Sequence, residues 1–184
     1  MSNKKKSVVL FGDSLLGCFG KSLINNLENK SGEVIVYNCA AGGLNTDDGV
    51  KQTSFIAKLE PDNVVLSFGA NDCAPWKGKP VKPENFEKNI ERIIRAFPKS
   101  QVIFFPCPPV DVPNQPEETK EFNNDLHKYN LIARDVVEKI GAKYIDSARV
   151  YGDLLKAGKD YHEKDGVHLN EKGYDLLLEE IVKL

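Results

Sequence analysis

The sequence has no apolar run long enough to cross a membrane, no surplus of charge and no paired cysteines, and each shortage removes a class of function. No window approaches the ~20 apolar residues of a spanning helix. The apolar segment near the start, Val8-Val9-Leu10-Phe11, stops at Gly12-Asp13, short of the roughly 7–15 residues of a secretory signal core. The chain therefore reads as cytoplasmic, with no membrane insertion. Net charge is −2, so no global field favours nucleic acid or an anionic surface. Lys4-Lys5-Lys6 reads as a solvated start. Cys18, Cys39, Cys73 and Cys107 lie far apart, which suits neither a disulfide framework nor a zinc site. All four read as reduced thiols, Cys73 as a packed or pocket-lining one.

What is present is the alternation of a globular α/β protein. A chain of 184 residues fits a single domain, 1–184, with a substantial core. Short apolar, β-branched runs at 7–11, 34–38, 64–68, 102–106 and 143–145 read as five buried strands of a parallel sheet. Helical periodicity fills 15–29, 47–58, 83–97, 119–140 and 171–184, with Ile90, Ile93, Ile94 and Phe97 sharing one face. Gly141 is placed to follow a helix C-terminus. The pattern predicts a three-layer α/β/α sandwich with right-handed crossovers. In such sheets functional loops gather at the carboxyl ends of the strands. The irregular stretch 106–116, with Pro106, Pro108, Pro109, Pro113 and Pro116, reads as a site wall or as a stiffened connection.

Four islands carry chemistry: Gly12-Asp13-Ser14-Leu15, Gly42-Gly43-Leu44-Asn45-Thr46, Gly69-Ala70-Asn71-Asp72 and Asp165-Gly166-Val167-His168. Together they hold the parts of a serine-dependent acyl hydrolase: nucleophile, base, orienting carboxylate and oxyanion donors. Each also has an ordinary reading. Asp13 or Ser14 would cap a helix, although a serine there also turns its own N–H toward a developing oxyanion. Gly43 would serve a turn with positive φ, or let a backbone N–H approach a substrate oxygen. Asn71 would be a turn residue, or a neutral donor of fixed direction. His168 discriminates best. Asp165 lies three residues earlier, and a turn can place its carboxylate on one ring nitrogen, leaving the other for the serine. The other histidines, His127 in a charged helix and His162 in a polar loop, read as solvated. Asp160 has no assigned role. A metal reading of Asp165 and His168 lacks a second His or Cys cluster, so neither metal nor cofactor is expected.

This combination, from Val8 to the final helix, resembles the SGNH/GDSL hydrolase superfamily. The resemblance implies a flavodoxin-like fold, with Ser14 as nucleophile, His168 as base and Asp165 as its partner. Ser14 N–H, Gly43 N–H and the Asn71 side chain would form the oxyanion hole. Many members carry Asn-x-Gly-x-Ser-Gly-Asp as the second block; here it is Asn38-Cys39-Ala40-Ala41-Gly42-Gly43-Leu44. Gly43 keeps its place, while the flanking Ser and Asp are Gly42 and Leu44. The run Gly43-Leu44-Asn45-Thr46 is instead similar to the branch of isoamyl-acetate-hydrolysing esterases. The implied activity is carboxylic-ester hydrolysis through an acyl-serine, on a small-molecule ester with a short acyl group. Trp76, Val167 and the 106–116 loop are candidate walls. Sugar O-acetyl deacetylation and thioester or lysophospholipid cleavage would use the same machinery. A non-catalytic small-anion-binding module would not need the acid–base pair.

Overall fold

The computed structural model describes residues 5–32, 34–75 and 80–183. Strands β1 (Lys6–Gly12), β2 (Val34–Asn38), β3 (Asn63–Ser67), β4 (Gln101–Phe104) and β5 (Lys143–Tyr144) form one sheet. Every pairing is parallel and the order is β2-β1-β3-β4-β5. The helices are α1 (Ser14–Gly17), α2 (Lys21–Ser31), α3 (Thr46–Ile56), α4 (Ala70–Cys73), α5 (Pro83–Arg95), α6 (Pro116–Ile140), α7 (Ser147–Lys156) and α8 (Glu171–Val182).

Alternation along each strand divides the core in two. On one face Val9, Phe11, Val64, Leu66, Val102 and Phe104 pack against Ile56 of α3, the Phe86/Ile90/Ile93/Ile94 stripe of α5 and the Phe122/Leu126/Ala133/Val137 stripe of α6. On the other, Val8, Leu10, Val65 and Ile103 meet Leu27 of α2, Val150 and Tyr151 of α7, and Leu177, Leu178 and Ile181 of α8. Each fully buried Val, Leu, Ile or Phe side chain among these contributes about 1.5–3 kcal/mol. The chain leaves β1 through α1 and α2 on one face and leaves β2 through α3 on the other. The order reverses at β1, and this switch point sets the carboxyl ends of β1, β2 and β3 side by side.

Three local expectations need correction. The single helix over 15–29 is two helices, because α1 ends at Gly17 and α2 begins at Lys21. Gly17 and Gly20 flank the break, and Asn38 Nδ2, at the end of β2, braces it from another element by donating to the carbonyls of Leu16 (2.9 Å) and Phe19 (3.1 Å). The helix placed at 119–140 starts at Pro116, since proline is tolerated in a first turn where its missing N–H costs nothing. The helices α4 and α7 are additions to the sequence expectation. Among the described residues no helix is long and apolar enough to cross a membrane.

Candidate active site

Local sequence rules place Ser14. β1 ends at Gly12, and Asp13 caps α1, its Oδ1 accepting the Leu15 N–H at 2.9 Å. With Asp13 as the cap, half-buried Ser14 opens the helix at its positive end. Tyr174 of α8 anchors the same turn by donating its hydroxyl to the Leu15 carbonyl at 3.1 Å.

The second and third islands are tied to each other. Gly43 has φ of 81°, so the turn reading of this glycine holds, and the turn stands at the cavity wall. Asn71, in α4, donates one Nδ2 hydrogen to the Leu44 carbonyl at 3.0 Å; a carboxamide carries two such hydrogens. Its neighbour Asp72 is fully buried, with Oδ1 accepting the Thr46 N–H (2.9 Å) and hydroxyl (2.5 Å) and Oδ2 accepting the Gly69 N–H (3.1 Å). Burial drives the Asp72 carboxyl up to about 6 against the opposing pull of these donors.

The fourth island is a tight turn built around Asp165. Its Oδ1 accepts the N–H groups of Val167 (2.9 Å) and His168 (3.0 Å), and its Oδ2 meets His168 Nδ1 at 2.6 Å. Partial burial opposes ionisation of Asp165, but these hydrogen bonds outweigh it and hold the carboxyl near about 2. A carboxylate only accepts, so Nδ1 is the donor and the neutral ring presents Nε2 as its basic nitrogen. Gly166 makes the turn possible. Its φ is 69°, and a Cβ there would lie 1.9 Å from the Asp111 carbonyl oxygen. The Asp111 N–H donates to the Gly166 carbonyl at 2.7 Å, joining this turn to the proline-rich loop.

The islands meet in one cavity of about 450 Å³, lined by Ser14, Gly42, Gly43, Asn71, Asp165 and His168, with Ala70, Val112, Gln115, Phe122 and Val167. A larger cavity, about 540 Å³, lies at the opposite end of the sheet between Arg95 and Lys143. It holds no nucleophile–base set, so chemistry rather than size selects the first. A family model for GDSL-like lipases and acylhydrolases matches residues 10–176. The chain belongs to that family.

Among solved structures, the GDSL-like chain is similar to a lipase/acylhydrolase from Enterococcus faecalis at 26% identity and a TM-score of 0.82, covering 97% of this chain and 94% of that one. A catalytic mutant of Axe2, an acetylxylan esterase from Geobacillus stearothermophilus, shares the fold at 17% identity and a TM-score of 0.80, covering 97% and 93%. Among curated proteins, the GDSL esterase/lipase WDL1 of Oryza sativa subsp. japonica is 23% identical over 140 residues. That match takes in 68% of this chain but 54% of the relative, about half its length.

Of the expected wall residues, Val167 lines the cavity, as do Val112 and Gln115 from the 106–116 loop. Trp76 lies outside the described residues. Phe122 is a wall residue that the sequence reading did not name; it sits in the first turns of α6, directly after that loop. Cys73 is buried, which pushes its thiol up to about 12, an inert packed group. Among the described residues no three His, Cys, Asp or Glu side chains come together as metal ligands. His127 is exposed, but the expectation of a solvated His162 is overturned: that residue is buried and bonded at both ring nitrogens. Asp160, expected to be without a role, is one of its partners.

Proposed function

We propose that this GDSL-like protein hydrolyses carboxylic esters through an acyl-serine intermediate. Ser14 Oγ attacks the ester carbonyl while His168 Nε2 takes its proton. The Ser14 and Gly43 N–H groups and the second Asn71 N–H receive the oxyanion. His168 then protonates the departing alcohol. Water, deprotonated in turn by His168, releases the acid and regenerates Ser14. Asp165 fixes the ring tautomer and balances the imidazolium. The observation that carries this reading is the 2.6 Å contact of Asp165 with His168 Nδ1 beside a cavity that also contains Ser14.

The walls support a neutral, short acyl group. Ala70, Val112, Phe122 and Val167 are apolar, and no lysine or arginine is among the described lining residues. A panel of p-nitrophenyl esters from acetyl to dodecanoyl, with acetylated xylooligosaccharides alongside, tests the substrate. Acetyl or butyryl esters are expected to be hydrolysed fastest, and a dodecanoyl preference would overturn the short-chain reading. Ser14→Ala should abolish turnover while circular dichroism stays unchanged. Retained turnover would eliminate the acyl-serine.

A further inference from the structure

Below the catalytic turn lies a second carboxylate–imidazole pair with a different geometry. The His162 side chain is 4% exposed. Its Nδ1 is 2.9 Å from Asp160 Oδ1, and its Nε2 is 2.9 Å from the backbone carbonyl of Pro109. Both partners are acceptors without a proton to give. A neutral imidazole has one N–H, so one of its nitrogens would face an oxygen lone pair to lone pair. Turning the ring over would point carbon edges at both oxygens. Only the imidazolium, with a proton on each nitrogen, satisfies both contacts.

The surroundings suit a cation. Asp160 supplies the opposite charge, and also accepts the His162 backbone N–H at 2.8 Å. The Tyr161 ring lies against the imidazole, with centroids 4.1 Å apart, an arrangement that favours positive charge over an aromatic face. Asp111 is two residues beyond Pro109 on the opposite loop, and Glu163 follows in sequence. Leu169, bridged to His162, and Asn170, whose amide donates to the His162 carbonyl, bring no charge.

The position is strategic. His162 and Leu169 close the base of the loop that carries Asp165 and His168. Through Pro109, whose carbonyl also accepts the Tyr161 hydroxyl at 2.9 Å, the ring holds the proline-rich loop. That loop bonds Gly166 through Asp111 and supplies Val112 to the cavity wall. We infer that His162 is a positively charged positioning residue, whose two charge-assisted hydrogen bonds lock the proline-rich loop against the catalytic turn, and whose deprotonation loosens both. The activity arm of its test rests on the esterase reading; the charge on the ring does not.

Nitrogen-15 NMR of the histidine side chains in the intact protein reads that charge directly. At pH 6–7 His162 should show two protonated ring nitrogens. Should the His162 ring be neutral across this range, the inference is overturned whether or not any ester is turned over. In the kinetic arm, removing the anion with Asp160→Asn should move the alkaline limb of kcat/KM to lower pH, together with the NMR titration of His162, and leave the acidic limb in place. His162→Gln, which cannot donate in both directions along that line, should lower kcat/KM by about 10- to 100-fold, the scale of a small misplacement of reacting groups, and abolish the pH-linked part of the alkaline loss. An alkaline limb unmoved in Asp160→Asn would contradict the proposal. Asp160 has a side chain 70% exposed, so that variant tests the idea even if His162→Gln folds poorly.

Discussion

At the scale of single residues, the proposed mechanism separates groups that orient from groups that react. Asp165 spends all its hydrogen-bonding on its own turn and on His168 Nδ1. Asp165→Asn keeps the shape, removes the anion and admits the wrong tautomer, the change that costs about 10⁴ in kcat in a comparable triad. A loss of that order in kcat, with Asp153→Asn as the control, is expected; Asp153 is 95% exposed. Asp160, which pairs with His162, cannot serve as that control. Asn71 would have two tasks under the proposed mechanism: one amide hydrogen braces Leu44, and the second would go to the oxyanion. Asn71→Ala should lower kcat by roughly 10²–10³ with KM little changed, and also cost about 1 kcal/mol of stability for the lost brace. Urea unfolding beside steady-state kinetics separates the two, and a variant that loses stability alone would reduce Asn71 to a brace.

At the scale of elements, the chemistry is positioned by strand ends and by loops clamped to one another. Asn123 illustrates the clamping: its Oδ1 accepts the Val110 N–H at 2.9 Å and its Nδ2 donates to the Val110 carbonyl at 2.8 Å. The proline-rich loop is therefore both a wall and a stiffened connection. Gly166→Ala tests the clamp. Its positive φ and the Asp111 carbonyl in the path of a Cβ predict a cost of about 1–3 kcal/mol and a large fall in activity. A stable, fully active Gly166→Ala would show that the two loops need not touch. The same elements explain what the sequence makes legible. Strands buried on both faces announce themselves as continuous apolar runs, three of the islands follow strand ends and the fourth precedes the last helix, so fold class and candidate triad are readable locally. The break after Gly17 is braced by Asn38 reaching across from another strand, and His162 is held by the Pro109 carbonyl, 53 residues away. Contacts of that kind leave no periodicity to read.

At the scale of the whole molecule, the fold carries buried acids whose ionisation opposes folding. Asp13 is fully buried, and burial raises its carboxyl to about 7, offset in part by the Leu15 N–H and reinforced by the charge of Asp72. Its Oδ2 and the Ser67 hydroxyl are both buried without a hydrogen-bond partner among the described residues. A carboxyl raised in the folded state binds its proton more tightly there than in the unfolded chain. Its contribution is therefore complete below the unfolded value of 3.8 and lost as pH rises through about 7. At roughly 1.4 kcal/mol per pH unit the loss is on the order of 4 kcal/mol. Asp165 has the opposite sign: its contribution is present above 3.8 and fades as pH falls toward about 2. Tm should thus decline between about pH 4 and 7, and Asp13→Asn, which cannot ionise, should flatten that decline. An equal slope in both proteins would show that Asp13 does not titrate in this range. The edge of the sheet is also guarded, since Glu28 of α2 accepts the Val36 N–H on β2 at 2.9 Å and occupies a group that another strand could use.

The central claim, that Ser14 is the atom acylated, has one direct measurement: intact mass and peptide mapping after treatment with a fluorophosphonate, which phosphonylates a serine only where a base and an oxyanion site activate it. The wild-type protein should gain a single adduct, mapped to Ser14, while Ser14→Ala gains none and His168→Ala gains it far more slowly. An unmodified wild-type protein, or an adduct that persists in Ser14→Ala, would contradict the account.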